Sequence, residues 1–491
     1  MIALCFGIVA AAAEAKTPIT ELTPDAVADV LAHLTILYPR DGAVFPADIA
    51  APTFKWKDVQ GASAWRITIQ VNDRIVADAD TTTSRWRPAK EQWEQIKKLS
   101  QKNNATVTIT RTNSLENDVS QTSITIRTSA DPVSSPIFYR EVPLPVTAAL
   151  SNMRATRWRL GYVNSYEQPN IVLQGLNVCA NCHYATPDGK TLGIDVQVGG
   201  DKGAHIIAEI EKEVVFSKDR VMTWNTFMRD GQRQNFGLLS QFSPDGRYVI
   251  STVREWPVYH LFQDPGNPQL FFPVRGILAL YDRKTKTFSA LPGADDPAYV
   301  QTNAVWSPDG KWIVFARAKA VDGAPNERSF VERTAKFRYD LYRIPFNEGK
   351  GGRADPVSGA AGNDRSNYFP KFTPDGKWLI YTQSDSFMLN QPDAELHIIP
   401  MEGGKDRKMT CNAAGKMSSW HSISPNGNWI VFSSKANGPY TELWLTHLDK
   451  EGKDTPPVLL EDYTSPVTAA NLPEFINIEP GMLMRIDNRL E

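Results

Sequence analysis

Trp306-Ser-Pro-Asp-Gly-Lys-Trp-Ile-Val-Phe315 decides the fold, because the chain repeats it. The same pattern stands at Ala185-Thr-Pro-Asp-Gly-Lys-Thr-Leu-Gly-Ile194, Phe242-Ser-Pro-Asp-Gly-Arg-Tyr-Val-Ile-Ser251, Phe372-Thr-Pro-Asp-Gly-Lys-Trp-Leu-Ile-Tyr381 and Ile423-Ser-Pro-Asn-Gly-Asn-Trp-Ile-Val-Phe432. Proline presets φ at the first turn position, Asp or Asn bonds its own backbone, and glycine supplies φ > 0. A strand rich in β-branched and aromatic residues follows in most copies. Each repeat then adds a further strand, clearest at Ile277-Leu-Ala-Leu-Tyr-Asp-Arg283, Asp340-Leu-Tyr-Arg-Ile344, Glu395-Leu-His-Ile-Ile399 and Glu442-Leu-Trp-Leu-Thr-His447, and in the first repeat at His205-Ile-Ile-Ala-Glu-Ile210. Radial repetition of four-stranded units is a β-propeller.

A further unit can be assembled from both ends of the repeat region. Trp158–Val163 and Asn170–Gln174 supply outer strands, and the segment from Asn471 supplies an inner one. Such a join leaves no open sheet edge, so six blades are favoured over five. Upstream, Ile36–Tyr38, Thr53–Trp56, Trp65–Val71, Ala105–Thr110 and Thr122–Arg127 read as strands, interrupted by one helix with Trp93, Ile96 and Leu99 on a single face. Trp56 and Trp65 belong to a sandwich core. The expected fold is all-β: a six-bladed propeller preceded by an Ig/fibronectin-like β-sandwich.

The domain limits follow: a signal peptide at 1–15, a short helical lead at 16–34, the sandwich at 35–130, a Pro-rich linker at 131–154, the propeller at 155–480 and a C-terminal tail at 481–491. The signal reading rests on an apolar run ending in Ala13-Glu14-Ala15, and Cys5 falls inside it. No later stretch approaches the roughly 20 apolar residues of a membrane span. The expected location is periplasmic or otherwise extracytoplasmic. Net charge is −2, with 42% apolar and 22% charged residues and no Lys/Arg run, so nucleic acid and anionic membranes are not expected partners.

The turns and their Trp-Ile-Val-Phe strands resemble the TolB-type propeller repeat over residues 155–480. The chain is also similar to bacterial propeller proteins with an N-terminal Ig-like domain and a Cys-x-Asn-Cys-His strand. That pattern is met by Asp131-Pro-Val133, Pro136–Pro145, Cys179–His183, Leu291–Pro297 and Ser419–Asn426. A more distant likeness is to the haem-bearing propeller of the hydrazine synthase α subunit. It implies a c-type haem on a propeller without implying hydrazine chemistry.

Cys179-Ala-Asn-Cys182-His183 is the one motif with chemistry. Two thiols add to the haem vinyl groups and the next residue presents an imidazole to iron. With 4 Cys and 7 His in 491 residues, about 0.0005 chance matches are expected. Cytochromes c open a helix with this motif, whereas here Tyr184-Ala-Thr-Pro-Asp-Gly189 follows, placing it on an innermost strand. A tight disulfide, part of a zinc site and a redox dithiol are the competing readings.

Repeat register adds a second histidine. His183 lies five residues before Asp188 and His421 five before Asn426, where the other repeats hold Ser240, Ala304 and Pro370. Cys179, Cys182 and His183 are thus the expected holders of one covalent haem c, with His183 proximal. His421 is the candidate distal ligand at the same level near the central channel, and His205 a weaker one. Asp295, Asp296, Asn303, Asn363, Asp364 and Asn367 are expected in polar rim loops, with a cation or acid–base role as the alternative. Trp312, Trp378 and Trp429 are expected between blades. Function divides between electron transfer or small-molecule redox chemistry, with a redox protein or small molecule as partner at the channel, and a haem-free binding scaffold. A channel hydrolase or lyase is the weakest reading, since no nucleophile elbow, zinc-protease motif or phosphate loop occurs.

Overall fold

The computed structural model describes residues 34–59, 61–112, 120–176, 180–228, 233–321 and 327–490. The signal and nearly all of the helical lead lie outside these residues, as does Cys179; Leu34, expected to end the lead, opens a strand instead.

Each repeat turn is built by one hydrogen-bond circuit. The Ser307 hydroxyl donates to Asp309 Oδ1 (2.5 Å) and accepts from the Trp312 amide (3.0 Å), while Asp309 Oδ1 takes the Lys311 amide (3.1 Å). Gly310 closes the turn at φ 71°. The circuit recurs through Thr186/Asp188, Ser243/Asp245, Thr373/Asp375 and Ser424/Asn426. The hydroxyl contact holds the Asp309 carboxyl below its usual range.

Five antiparallel sheets follow one another in sequence, the second and third joined by a parallel bridge at Gly276 and Val300. Their innermost strands are Ala180–Ala185, Leu238–Phe242, Tyr299–Trp306, Ser366–Phe372 and Ser418–Ile423, and each continues outward through three more strands. A composite sheet completes the set, in the order Thr468–Phe475, Ile137–Pro143, Arg157–Gly161, Asn170–Gln174. Each innermost strand lies beside the next, and Thr468–Phe475 lies beside both Ser418–Ile423 and Ala180–Ala185. These contacts close a ring, the architecture of a β-propeller.

Two expected boundaries change. Ile137–Pro143 was expected inside a stiff linker and is instead the second strand of the composite sheet, paired to Thr468–Phe475 and Arg157–Gly161. Ile-Phe-Tyr supplies β-forming side chains that bury completely, while the flanking prolines only delimit the strand. The expected tail contains the strand Arg485–Asn488, parallel to Glu213–Phe216, with Leu483, Ile486 and Leu490 buried. This separate two-stranded sheet gives the C-terminus a second joint besides the composite one.

Residues 34–128 form two further sheets, one of three strands and one of five, with the helix Lys90–Ser100 burying Trp93 and Ile96. Trp56 and Trp65 meet edge to face in their core (6.0 Å). Asp58 of the smaller sheet pairs with Arg111 of the larger, both buried, at 2.7 Å. The same core continues into Trp429, Val431, Leu443 and Leu445 of the fifth sheet. Lys55–Glu461 (2.6 Å) and Arg87–Asp462 (3.0 Å) rim that junction. No helix among the described residues is long and apolar enough to cross a membrane.

Candidate functional site

All six innermost strands carry a register shift near their middle. In five the shifted residue is held at positive φ: Leu239 (59°), Asn303 (56°), Phe369 (52°), Trp420 (47°) and Leu472 (54°). Bulky L residues rarely take this conformation, and none of the five is glycine. Leu239, Phe369, Trp420 and Leu472 come from four different sheets yet belong to one apolar cluster, so their side chains converge at the centre of the ring. Asn303 Oδ1 caps the Phe369 amide across a sheet boundary. Counting from the repeat, Cys182 holds the corresponding place in the first sheet, one residue before His183 as Trp420 precedes His421.

His183 is 4% exposed; among the described residues neither ring nitrogen makes a hydrogen bond of full geometry, and the nearest backbone groups acting on it are those of Phe138 and Leu472. Phe138 of the composite sheet meets its ring edge on at 4.7 Å. Burial, aided by the positive charges of Arg140 and Lys371, pushes the imidazole down to about 3, so it is neutral at any physiological pH. His421 is 3% exposed and likewise held at about 3 by burial and then Lys371. Its Nε2 bonds the Ile380 carbonyl (3.1 Å), and Nδ1 is without a partner among the described residues. The register equivalence of the two histidines therefore holds, but they face different seams. His183 lies between the first and composite sheets, and His421 between the fifth and fourth. Lys371, ion-paired to Glu474 (2.7 Å), is the charge that acts on both.

His205 begins the third strand of the first sheet and is buried, with Nδ1 3.4 Å from the Tyr184 hydroxyl and Nε2 3.3 Å from the Phe236 carbonyl. Burial lowers it to about 4. The Cys182 thiol and Asp195 are near enough to act on Tyr184, so this polar group adjoins the motif strand. Glu255 lies nearby. Its Oε1 accepts the Phe236 and Gly237 amides, Oε2 has no partner among the described residues, and burial raises the carboxyl to about 7.

The rim residues have structural partners. Asp295 and Asp296 each accept a backbone amide two residues along. Asn363 and Asn367 bond each other, and Asn367 also takes Gln383. Among the described residues no three His, Cys, Asp or Glu side chains gather as a metal site. Trp429 is buried in the core shared with the N-terminal sheets, its Nε1 on the Asp131 carbonyl (3.2 Å). Trp378 is partly covered and reaches the fifth sheet through Nε1 to the Lys450 carbonyl (3.3 Å), and Trp312 is partly covered by the Arg343 guanidinium at 5.1 Å. Sequence reasoning missed three features: the bulge ring, Glu255, and a long hairpin from Tyr248–Leu261 to Gln269–Asp282 that extends far beyond its repeat. The hairpin's signal was present as an aromatic-rich insertion between two repeat strands.

No family model matches the chain, and no curated protein matches it. Among solved structures the chain is similar to TolB from Acinetobacter baumannii, with TM-score 0.42 and 15% identity over 92% of this chain and 85% of that one. It is similar to Kuenenia stuttgartiensis hydrazine synthase, with TM-score 0.32 and 14% identity over 55% and 76%. It is also similar to the Pseudomonas aeruginosa periplasmic gluconolactonase PpgL, with TM-score 0.36 and 13% identity over 66% and 82%. Likeness at this level carries no argument about activity.

Proposed function

We propose that this chain is an extracytoplasmic, six-bladed, TolB-like propeller fronted by an Ig/fibronectin-like domain. In this reading it carries one haem c on Cys179 and Cys182 and works in electron transfer or small-molecule redox chemistry. The observation behind the reading is His183. It is a buried neutral imidazole directly after a motif cysteine, with no well-formed hydrogen bond on either nitrogen among the described residues. Buried polar groups normally find a partner, and an orphan costs about 1–3 kcal/mol. Neutral imidazole is the metal-ligating form. The donor set therefore fits a covalently held haem with His183 proximal.

Bound there, the group would supply a one-electron iron couple. The protein's own part is legible in its residues. Phe138 and the seam exclude water from the imidazole, and Lys371 adds a positive charge nearby. The ring of strained bulges around Cys182 is the kind of backbone held out of its preferred region at functional sites. His421, turned to Ile380, is not required as a second ligand in this reading.

A haem-free scaffold is the second reading, and one observation favours it. The matching slot at His421 is used structurally, through its bond to Ile380. Protein made with a cytochrome c maturation system separates the two. The haem reading expects a pyridine haemochrome at one haem per chain, abolished by Cys182→Ala. Colourless protein would leave the scaffold.

A further inference from the structure

We propose that residues 255–276 form a strap over one mouth of the central channel, latched at its tip by Lys435. The strap joins the second and third strands of the second sheet, so it leaves the ring at the end where every innermost strand begins. Lys435 follows the second strand of the fifth sheet at that same end. In a closed ring of six sheets, the second and fifth stand opposite one another. A contact between them must cross the axis, and one is present. The Lys435 ammonium, on a residue 6% exposed, donates to the Gly266 carbonyl at 2.7 Å and to that of Pro265 at 3.4 Å. Asp264 is the carboxylate acting on it. An extended arm of about ten residues spans roughly 33 Å, ample for the crossing.

The strap's underside is apolar. Val258, Leu270 and Phe272 are buried, and Phe272 meets Phe387 at 4.8 Å, Phe330 at 5.4 Å and Phe337 at 5.5 Å. These residues share one apolar cluster with the bulge residues Phe369 and Trp420, so the strap's underside is part of the same core as the ring of bulges. At its base Pro257 stands opposite Pro273, with register shifts on the Pro257 side. Neither proline has an N–H, so this is a non-hydrogen-bonded rung of the antiparallel ladder, and the base is anchored by the Tyr339 hydroxyl on the Pro273 carbonyl and the Val321 amide on the Val274 carbonyl. Phe272 and the latch are among the contacts that hold the arms beyond it.

A latched strap closes this mouth to another protein, so access to the channel from this end is limited to a small molecule. That consequence rests on the channel reading above. The strap itself does not.

Hydrogen exchange on purified protein tests the latch, and it reads the same whether or not pigment is attached. Losing a charge-assisted bond predicts at least about ten-fold faster exchange across residues 258–271 in Lys435→Met. The strand Trp429–Ser434 should keep its protection, and Lys435→Arg should restore slow exchange in the strap. Unchanged exchange at 258–271 in Lys435→Met would overturn the proposal. So would acceleration spread equally over the fifth sheet, which would make Lys435 part of the general fold.

Discussion

Two histidines in matched register provide an internal control. His183 and His421 occupy the same position in their repeats, are equally buried, and are both neutral. They differ in one respect: His421 has a well-formed hydrogen bond to Ile380, whereas among the described residues His183 has only the looser approach of the Phe138 and Leu472 backbone. Replacing each by leucine in haem-free protein should therefore give opposite signs. His183→Leu removes an unsatisfied buried polar group and should stabilise by about 1 kcal/mol. His421→Leu discards the bond to Ile380 and should cost about 1–2 kcal/mol. Urea unfolding at pH 7.5, followed by tryptophan fluorescence, measures both midpoints. The pH dependence adds a second readout. An unfolded histidine takes up a proton near 6.5, which the folded one refuses until about 3. Stability is then fully present above 6.5 and lost as pH falls. Each site contributes a slope of about 1.4 kcal/mol per pH unit across that window. Each leucine variant should remove one such slope. Equal destabilisation by the two variants would refute the assignment of His183 as an orphan.

Three other outcomes follow from particular contacts. Glu255 is raised to about 7 when folded, against 4.5 for the free side chain, so the folded state holds the extra proton and stability falls as pH rises between those values. Glu255→Gln should gain up to about 3 kcal/mol at pH 8 and nothing at pH 4, read by urea midpoints at the two pH values. Ser307→Ala strips the turn circuit of its buried hydroxyl and leaves the Trp312 amide without its acceptor. It should cost about 2 kcal/mol in chemical unfolding, and Ser243→Ala in the equivalent circuit should cost the same. Ending the chain after Met484 removes the Arg485–Asn488 joint with buried Ile486 and Leu490. The loss should be about 3–5 kcal/mol, with strand Glu213–Phe216 becoming the first segment to exchange.

The repeats were legible because their turns are local chemistry: Ser or Thr, Asp or Asn, and Gly at fixed offsets describe the circuit the structure contains. The composite sheet was legible in part, through its outer strands and C-terminal inner strand. Its second strand was hidden because Pro136, Pro143 and Pro145 bracket seven residues whose burial only the ring explains. The motif and the His183/His421 register could be read from spacing. Which seam each imidazole enters could not, since that depends on the neighbouring sheet. The bulge ring gave no sequence signal. Leu239, Phe369, Trp420 and Leu472 are residues for which positive φ is least expected, and the strain is imposed by closure of the ring. The strap and its latch lie 169 residues apart in sequence, beyond any local pattern.

Peptide mapping across residues 176–190, on protein matured with the cytochrome c assembly system, tests the central claim most directly. The account predicts a fragment carrying one porphyrin through thioether bonds to both Cys179 and Cys182. A fragment of unmodified mass less two hydrogens, its two cysteines joined to each other, would contradict it.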